Sequence, residues 1–354
     1  MTALLRLAIL RSMTSRERVV RALERREADR VPTFEWAIDR QVCQALTGSE
    51  DVLEAIVRLD IDGVVLRANY SKQRLDAEHY LDEWGCRRKV STESIDVIVE
   101  SPIQDIRRHE EYRFPDPRAP HRLASLGKAV AALGSSKAIV FNLRDVFSDI
   151  RDLAGYENAL IALLTEQQAF DQLLERVIEY NLTLARLARE RYDVNIVATT
   201  DDIADSRGLI FSPQLYFSVL APRMAQVIRG YKELGYFCIK HCDGNVKDVL
   251  EHWIDIGVDC IDPIDPNGGM DIAEVKKQYG SRVCLKGNIN CQTTLVSGTE
   301  QEVEAEVKRC IEQAGAGGGL ILSSSNTIHS GVKPENYRAM LAALHRYGAK
   351  KGSS

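Results

Sequence analysis

Long apolar runs are absent from this 354-residue sequence, and none approaches the roughly 18 to 20 apolar residues that a membrane-spanning helix requires. A basic excess is also absent: 51 acidic residues outnumber 46 Lys and Arg residues, so nucleic acid is not an expected partner. The eight cysteines lack paired spacing, which favours reduced thiols in a cytoplasmic protein over a disulfide framework. The expected ligand is therefore a small molecule or a protein partner.

The opening residues, 1–12, are predicted to be a poorly ordered leader. Their apolar stretch is interrupted by Arg6 and Arg11, and it lacks the long apolar core and small-residue cleavage site of a signal peptide. Residues 13–348 are expected to form one domain, because a single α/β barrel with insertions reaches this length. Residues 349–354 are expected to be a tail, and the expected location is the cytoplasm.

Short apolar, β-branched segments alternate along the chain with segments of helical periodicity. The predicted strands are 31–36, 63–66, 138–142, 195–199, 236–240, 258–263, 282–286 and 319–322. Continuous apolar strands alternating with helices are typical of a parallel sheet, and eight such units predict closure into a barrel. We therefore expect an α/β fold, a single (β/α)8 TIM-type barrel with an N-terminal helical extension that Thr14 or Ser15 caps.

Residues 84–122 do not fit a β/α unit and contain four prolines. They predict an insertion after the second strand, built as a hairpin plus an irregular excursion. We interpret this insertion as a lid or an interface, and a homodimer is among the expected assemblies.

Polar side chains follow the predicted strands, and in a (β/α)8 barrel the chemistry gathers at these carboxyl ends. The candidates for substrate binding are Glu35, Asn69, Tyr70, Arg144, Asn288 and Asn326, and the candidates for catalysis are Asp202, His241 and His329. A single polar strand end is more often a helix cap or a turn former, but here the ends converge on one mouth. We therefore expect one cavity lined by Glu35, Asn69, Asp202, His241, Asn288 and His329.

The densest polar group is the segment HCDGN that starts at His241. Because alternate residues of a strand face the same side, His241 and Asp243 are predicted to point together into the mouth while Cys242 points away. Imidazole and carboxylate are zinc ligands, so this segment is a candidate metal site. The alternative is that His241 is an acid/base residue and that Asp243 fixes its tautomer or caps the next helix. Alternation also sends Asp201 and Asp202 apart, so one is expected in the site and the other in a cap.

A set of short motifs occurs in a fixed order along the chain. They are MTSRERV at 13–19, ADRVP at 28–32, DD at 201–202, SP at 212–213, APR at 221–223, HCDGN at 241–245, GN at 287–288 and SSSNTIH at 323–329. Together they resemble the landmarks of the uroporphyrinogen decarboxylase superfamily, which includes the cobalamin-dependent methyltransferases. The resemblance covers about residue 13 to residue 347 and implies a barrel, but it leaves the reaction open.

The chain departs from the pattern of true porphyrinogen decarboxylases at two places. Those enzymes carry an Arg-Gln-Ala-Gly-Arg-Tyr segment after strand one to hold propionates, and an aspartate after strand two to meet the pyrrole nitrogens. The corresponding segments here read FEWAIDR at 34–40 and RANY at 67–70. An acidic Glu35 repels a substrate with eight carboxylates, and only His329 aligns with a decarboxylase active-site residue. The resemblance therefore implies the methyltransferase branch.

That branch holds zinc with a His-x-Cys pair after strand five and a further cysteine after strand eight. This chain keeps His241, but Asp243 replaces the cysteine and Cys242 is one residue out of register. The resemblance thus implies a zinc site with harder ligands, His241 and Asp243 together with Cys291 or Glu35, which suits an ether or amine methyl donor. The implied reaction moves a methyl group between a small methylated substrate and cobalamin carried by a separate corrinoid protein.

Two other interpretations remain open. One is a lyase that decarboxylates a non-porphyrin carboxylate, with Arg144 or Arg67 holding the carboxylate and His329 or Asp202 handling the proton. The other is a non-catalytic barrel that binds a small ligand. Metal content separates the methyltransferase from both, and loss of carbon dioxide identifies the lyase.

Overall fold

The computed structural model describes residues 13–91 and 96–349, so the predicted leader at 1–12 and residues 350–354 of the predicted tail lie outside the described residues. In chain order the strands are β1 Gly63–Arg67, β2 Lys72–Arg74, β3 His79–Asp82, β4 Arg87–Lys89, β5 Val97–Glu100, β6 Ala138–Arg144, β7 Ile196–Thr200, β8 Ala204–Asp205, β9 Gly208–Leu209, β10 Phe237–His241, β11 Cys260–Asp262, β12 Cys284–Ile289 and β13 Leu320–Ser324. The helices are α1 Ser15–Leu23, α2 Arg40–Thr47, α3 Val52–Arg58, α4 Ala124–Leu133, α5 Ser148–Ala154, α6 Tyr156–Thr165, α7 Gln167–Tyr192, α8 Pro213–Leu215, α9 Ala221–Glu233, α10 Lys247–Asp255, α11 Ile272–Tyr279, α12 Thr294–Ser297, α13 Glu300–Ala314 and α14 Pro334–Tyr347.

The central sheet contains seven parallel strands in the order β1-β6-β7-β10-β11-β12-β13. Strands β6, β7, β12 and β13 are buried along almost their whole length, as expected when helices cover the outside of a parallel sheet and side chains fill its inside. Each strand pairs with the next one in the barrel, and the helices that connect them lie outside the sheet. The predicted α/β barrel-type fold is confirmed.

The predicted first strand, 31–36, is not a continuous strand, yet it lies between the two edges of this sheet. The carbonyl of Pro32 accepts a hydrogen bond from Leu322 in β13 at 2.9 Å, and the carbonyl of Thr33 accepts one from Asp62, just before β1, at 2.8 Å. Proline has no N–H to donate, and the N–H of Thr33 is taken by the Asp62 carboxylate at 2.9 Å. The segment therefore bridges both edges with too few backbone hydrogen bonds to form a regular strand.

The N-terminal helix begins where the sequence predicts. Thr14 caps α1, and the Glu17 side chain completes a capping box with the Thr14 backbone. Among the helices of residues 13–91 and 96–349, none combines the length and the apolar character needed to cross a membrane.

The insertion after β1 is a sheet of four short antiparallel strands in the order β2-β3-β4-β5, followed by the 3-10 turns Ile106–Glu111 and Pro120–Leu123. The sequence predicts a hairpin plus an irregular excursion that starts at Trp84, whereas the sheet starts at Lys72. All three residues of β2 are exposed, so this strand has no apolar alternation for a periodicity argument to detect. Within the insertion, the buried guanidinium of Arg122 donates hydrogen bonds to both carboxylate oxygens of Glu83, at 2.8 and 2.9 Å. This contact connects the second 3-10 turn to the antiparallel sheet.

Candidate metal centre and the cavity beside it

Three potential metal ligands from two neighbouring strand ends meet at the carboxyl-terminal mouth of the barrel. His241 is the last residue of β10, Asp243 lies two residues further on, and Asp202 follows β7, which pairs with β10. One ligand atom from each of the three lies within 4.8 Å of the others, and Nε2 of His241 is 3.6 Å from Oδ1 of Asp243. Asp202, His241 and Asp243 are called the DHD trio below. Cys242 is buried and directs its Sγ to the carbonyl of Asp243.

Asp201 has a different role from its neighbour Asp202. The Asp201 carboxylate accepts hydrogen bonds from the backbone N–H groups of Val146, Phe147 and Ser148, at 3.2, 2.8 and 2.5 Å. These are donors at the start of α5, where helical N–H groups have no partner within the helix. Asp201 therefore serves as a cap, and Asp202 is the member of the pair that joins the DHD trio.

A buried carboxylate fixes the ring of His241. Its Nδ1 donates to Oδ2 of Asp262 at 2.8 Å, so Nε2 is the nitrogen available to a ligand. Trp36 stacks on the imidazole with ring centroids 4.0 Å apart, and Lys286 contacts the other Asp262 oxygen at 2.8 Å. Burial raises the pKa of Asp262, but Lys286 and His241 lower it more, to about 2. A permanently charged Asp262 behind the ring is the arrangement that orients histidine ligands of metals.

The surroundings of the two carboxylates in the DHD trio suit a divalent cation. Oδ1 of Asp202 and Oδ1 of Asp243 are both buried, and neither has a hydrogen-bond partner among the described residues. A buried oxygen without a partner is costly, and a cation between them would satisfy both. Burial also raises the pKa of Asp243 to about 7, although the nearby His241 lowers it. One imidazole and two carboxylates form a set of three protein ligands that fits catalytic zinc.

Asn326 supports this centre from the loop after β13. Its Nδ2 donates to Oδ2 of Asp243 at 2.6 Å, which leaves Oδ1 as the oxygen that faces the DHD trio. Asn326 was expected to bind substrate, and the structure uses its amide to orient a potential ligand. A substrate-binding role for Asn326 stays a prediction.

Cys291 and Glu35, the other residues considered as metal ligands, lie outside the DHD trio. Cys291 is buried and accepts a hydrogen bond from Ser325 Oγ at 3.4 Å, and burial raises the pKa of its thiol. Glu35 is buried against β13, where the hydroxyl of Ser324 donates to it at 2.6 Å. Burial raises the pKa of Glu35 to about 7, although Lys286 lowers it. Among the described residues, the group within metal-ligand distance contains Asp202, His241 and Asp243 alone.

His329 and Asn288 are engaged by the backbone of neighbouring loops. Nε2 of His329 donates to the carbonyl of Cys291 at 3.0 Å, and its Nδ1 accepts from the N–H of Gly331 at 3.1 Å. Nδ2 of Asn288 donates to the carbonyl of Ile264 at 2.8 Å. Both side chains therefore tie strand ends together in this structure, and their catalytic and substrate-binding roles stay predictions.

A cavity of about 320 Å³, called the side cavity below, lies between the ends of β1 and β6, the insertion sheet and α7. Three of the predicted substrate-binding residues line it: Asn69, Tyr70 and Arg144. Asn69 also bonds to Ser125 through both ends of its amide, which caps α4. Of the six residues expected to share one cavity, Asn69 lies on this wall, Asp202 and His241 meet in the DHD trio, Glu35 and Asn288 are buried, and the ring of His329 bonds to the backbone of Cys291 and Gly331.

Sequence reasoning missed some of the residues that support the DHD trio and that line the side cavity. Asp262 is one of the polar residues at the predicted strand ends, but nothing in the sequence shows that it faces His241. Trp36 ends another predicted strand, and an aromatic residue at a strand end is a sequence signal that could have identified it as a site residue. Trp84 and Arg88 of the insertion line the side cavity, and their place depends on a sheet that periodicity did not detect.

Comparison with known proteins agrees with the motifs. The family described as uroporphyrinogen decarboxylase (URO-D) matches residues 80–347, so the chain belongs to that family, and the resemblance is confirmed. The chain is 26% identical over 212 residues to a uroporphyrinogen decarboxylase of Pseudoalteromonas translucida, a match that covers 58% of this chain and 53% of that protein. It is 24% identical over 232 residues to the methylcobamide:CoM methyltransferase MtaA of Methanosarcina barkeri, covering 66% of this chain and 65% of that protein.

The chain thus spans between about half and two thirds of the length of these two curated relatives. A solved structure described as a methyltransferase from Methanosarcina mazei is similar over 95% of this chain and 99% of that one, with a TM-score of 0.75 at 19% identity. This similarity shows a shared fold.

Proposed function

We propose that this protein is a cytoplasmic, zinc-assisted methyltransferase that moves a methyl group between a small methylated substrate and a corrinoid on a separate protein. The observation that carries the proposal is the DHD trio, in which two buried carboxylate oxygens, without hydrogen-bond partners among the described residues, converge with an oriented imidazole nitrogen. The similarity to a methylcobamide-dependent methyltransferase supports the choice of reaction.

The roles of the chain's own residues follow from their contacts. His241 would offer Nε2, Asp243 would offer Oδ1 and Asp202 would offer Oδ1 to zinc. Asp262 holds the imidazole in the tautomer that leaves Nε2 free, and Asn326 holds Asp243. A bound zinc ion supplies Lewis acidity that polarises the heteroatom bearing the methyl group.

The donor set supports a donor molecule with a hard heteroatom. Zinc held by one nitrogen and two oxygens is a harder centre than zinc held by thiolates, and it matches oxygen or nitrogen better than sulfur. We therefore propose a methyl ether or methylamine as the small substrate. The corrinoid protein would dock at the barrel mouth, where the DHD trio lies.

Decarboxylation of a non-porphyrin carboxylate is the second candidate. It is favoured by the similarity to uroporphyrinogen decarboxylases and by Arg67 in the side cavity, which has no carboxylate within ion-pair distance among the described residues. This reaction does not need the DHD trio as a metal centre.

Metal analysis followed by activity assays separates the two reactions. Protein purified without chelator should contain stoichiometric zinc, and His241→Ala and Asp243→Asn should each lose it. The control is His79→Ala, because His79 also faces a carboxylate, that of Asp76 at 3.0 Å, but lies in the insertion. Circular dichroism checks that each variant is folded.

The methyltransferase proposal expects the wild-type protein to methylate a Co(I) corrinoid protein from ether or amine donors, and His241→Ala to abolish this. The lyase alternative expects release of carbon dioxide, with a rate that falls by roughly two to four orders of magnitude in His241→Ala and does not depend on metal. Wild-type protein that binds no zinc, or a His241→Ala variant with full methyl transfer, would refute the methyltransferase proposal.

A further inference from the structure

The side cavity has walls of mixed character that suit a small amphipathic molecule. Its apolar and aromatic lining includes Leu143, Leu153, Trp84, Tyr180 and Leu184. Its volume of about 320 Å³ lies at the lower end of the range for small-molecule sites. The ligand that fits this space therefore has an apolar or aromatic body of modest size.

Cationic side chains also line the side cavity, and all but one are paired with carboxylates. The pairs are Lys72 with Asp96 at 3.2 Å, Arg88 with Asp82 at 2.6 Å, Arg122 with Glu83 at 2.8 Å and Arg144 with Asp152 at 2.9 Å. Arg67 is the exception: within residues 13–91 and 96–349, no carboxylate lies within ion-pair distance of its guanidinium, and it makes no side-chain hydrogen bond. The side cavity thus contains one guanidinium whose donors are free.

Arg67 presents its charge to the side cavity. It is the last residue of β1, at the mouth of the barrel, and it is an exposed residue that lines the side cavity. Desolvation and the nearby Arg144 lower the pKa of Arg67 to about 10, although the charge of Asp202 raises it, so the guanidinium stays charged at neutral pH. An anion bound here would replace the missing partner.

We propose that Arg67 is the oxyanion-binding residue of the side cavity, and that the substrate carries a carboxylate or sulfonate on an apolar body. A guanidinium can bind either group through two parallel N–H donors. Arg144 cannot take this role, because Asp152 and Asp149 already contact it. The proposal rests on the proposed function to the extent that the side cavity is the substrate site of the DHD trio.

The side cavity and the DHD trio meet at neighbouring strand ends. Arg144, which lines the side cavity, lies opposite Thr200 where β6 pairs with β7, and Asp202 of the trio is two residues further along the chain. The charge of Asp202 also acts on both Arg67 and Arg144. A molecule anchored by its oxyanion at Arg67 can therefore extend its far end toward the trio. The anchored group and the reacting group would then lie at opposite ends of the same molecule.

Calorimetric titration of the purified full chain tests the subsite directly. The probes are 4-methoxybenzoate, 4-methoxybenzenesulfonate and the neutral 4-methoxybenzamide, which share one body and differ in headgroup. The variants are Arg67→Met, which removes the charge, and Arg67→Lys, which keeps the charge without the two-pronged geometry. Arg74→Met is the matched control, because Arg74 is an exposed arginine of the insertion whose hydrogen bonds within the described residues go to the backbone carbonyls of Asp76 and Ala77.

We expect an anionic probe to bind the wild-type protein at least about tenfold more tightly than the amide. Arg67→Met should remove this difference without weakening the amide, Arg67→Lys should fall between, and Arg74→Met should match the wild type. The anion that binds more tightly identifies the headgroup. Zinc content should be the same in all variants, because Arg67 is not a ligand.

Three results would overturn the proposal: no binding of either anion to the wild-type protein, equal binding of anion and amide, or unchanged anion binding in Arg67→Met. Failure of the proposed function looks different. If the wild-type protein holds no zinc but anion binding still depends on Arg67, the metal-centred proposal is wrong and the oxyanion subsite stands.

Discussion

Asp262 is the residue through which the candidate metal centre can be tested most sharply. Its two oxygens contact two buried groups, Nδ1 of His241 and Nζ of Lys286, each at 2.8 Å. The side chains of Asp262 and Lys286 are 1% and 0% exposed. One carboxylate therefore orients a potential ligand and neutralises a buried ammonium group, and substitution should separate these two effects.

Asp262→Asn removes the carboxylate that forms the buried ion pair with Lys286. Loss of one partner of a buried ion pair costs about 3 to 5 kcal/mol in the free energy of unfolding. Loss of the carboxylate behind a histidine ligand weakens metal binding by about 10- to 100-fold. The double variant Asp262→Asn/Lys286→Met removes the isolated charge, and an apolar side chain at 286 would pack beside Phe34, which Lys286 Nζ now faces at 5.0 Å. We expect the double variant to recover most of the stability and none of the metal affinity.

Urea unfolding measures the stability, and competition with a chromophoric chelator measures the zinc affinity. The reasoning fails if the double variant binds zinc as tightly as the wild-type protein, because Asp262 would then serve Lys286 alone. It also fails if Asp262→Asn is as stable as the wild-type protein, because the ammonium group of Lys286 would then not need the carboxylate.

Two further predictions follow from single contacts. Asn326→Ala should weaken zinc binding by about tenfold, because Asp243 loses the donor that fixes its outer oxygen; unchanged affinity in the chelator assay would contradict this. Glu83→Gln should destabilise the protein by about 1 to 3 kcal/mol at pH 7. Burial raises the pKa of Glu83, but the Ser71 N–H, His121 and Arg122 lower it more, to about 2. The folded pKa is thus below the unfolded value, so the penalty is full at neutral pH and shrinks as pH falls below about 4.5. Urea unfolding between pH 7 and pH 3 measures it, with the exposed Glu78→Gln as control, and a penalty independent of pH would refute the pairing.

The parts of the fold that were predictable are those whose side chains are buried on both faces. Strands such as β6 and β13 are continuous apolar runs, and such runs can be read from sequence alone. The segment 31–36 is also predicted to be a strand, but it contains Pro32, and the N–H of Thr33 bonds to the Asp62 side chain. Its backbone is therefore less regular than the sequence predicts. In the insertion, β2 is entirely exposed, and its pairing depends on partners that a local pattern does not reveal.

The same distinction applies to the candidate site: features that depend on one strand were predictable, and contacts that depend on two strands were not. The shared orientation of His241 and Asp243 follows from strand alternation, and the separation of Asp201 from Asp202 follows from the same rule. The contact between His241 and Asp262 was not predictable, because it depends on the register of β10 against β11, in which these two residues are opposite each other. Register is a property of two strands, and no single segment encodes it.

The DHD trio and the side cavity come from different parts of the fold. This separation would allow one of them to change while the other stays the same. The DHD trio and its supporting Asp262 lie on strand ends of the barrel, where the backbone is fixed by pairing on both sides. The side cavity takes much of its wall from the insertion and its free guanidinium from the end of β1. Changes in the insertion can therefore reshape the space around a substrate without moving a metal ligand, because the insertion strands pair only with one another. Under the two proposals, replacing Arg67 should in the same way alter which substrate is held while leaving the DHD trio intact, because Arg67 is not one of its three residues.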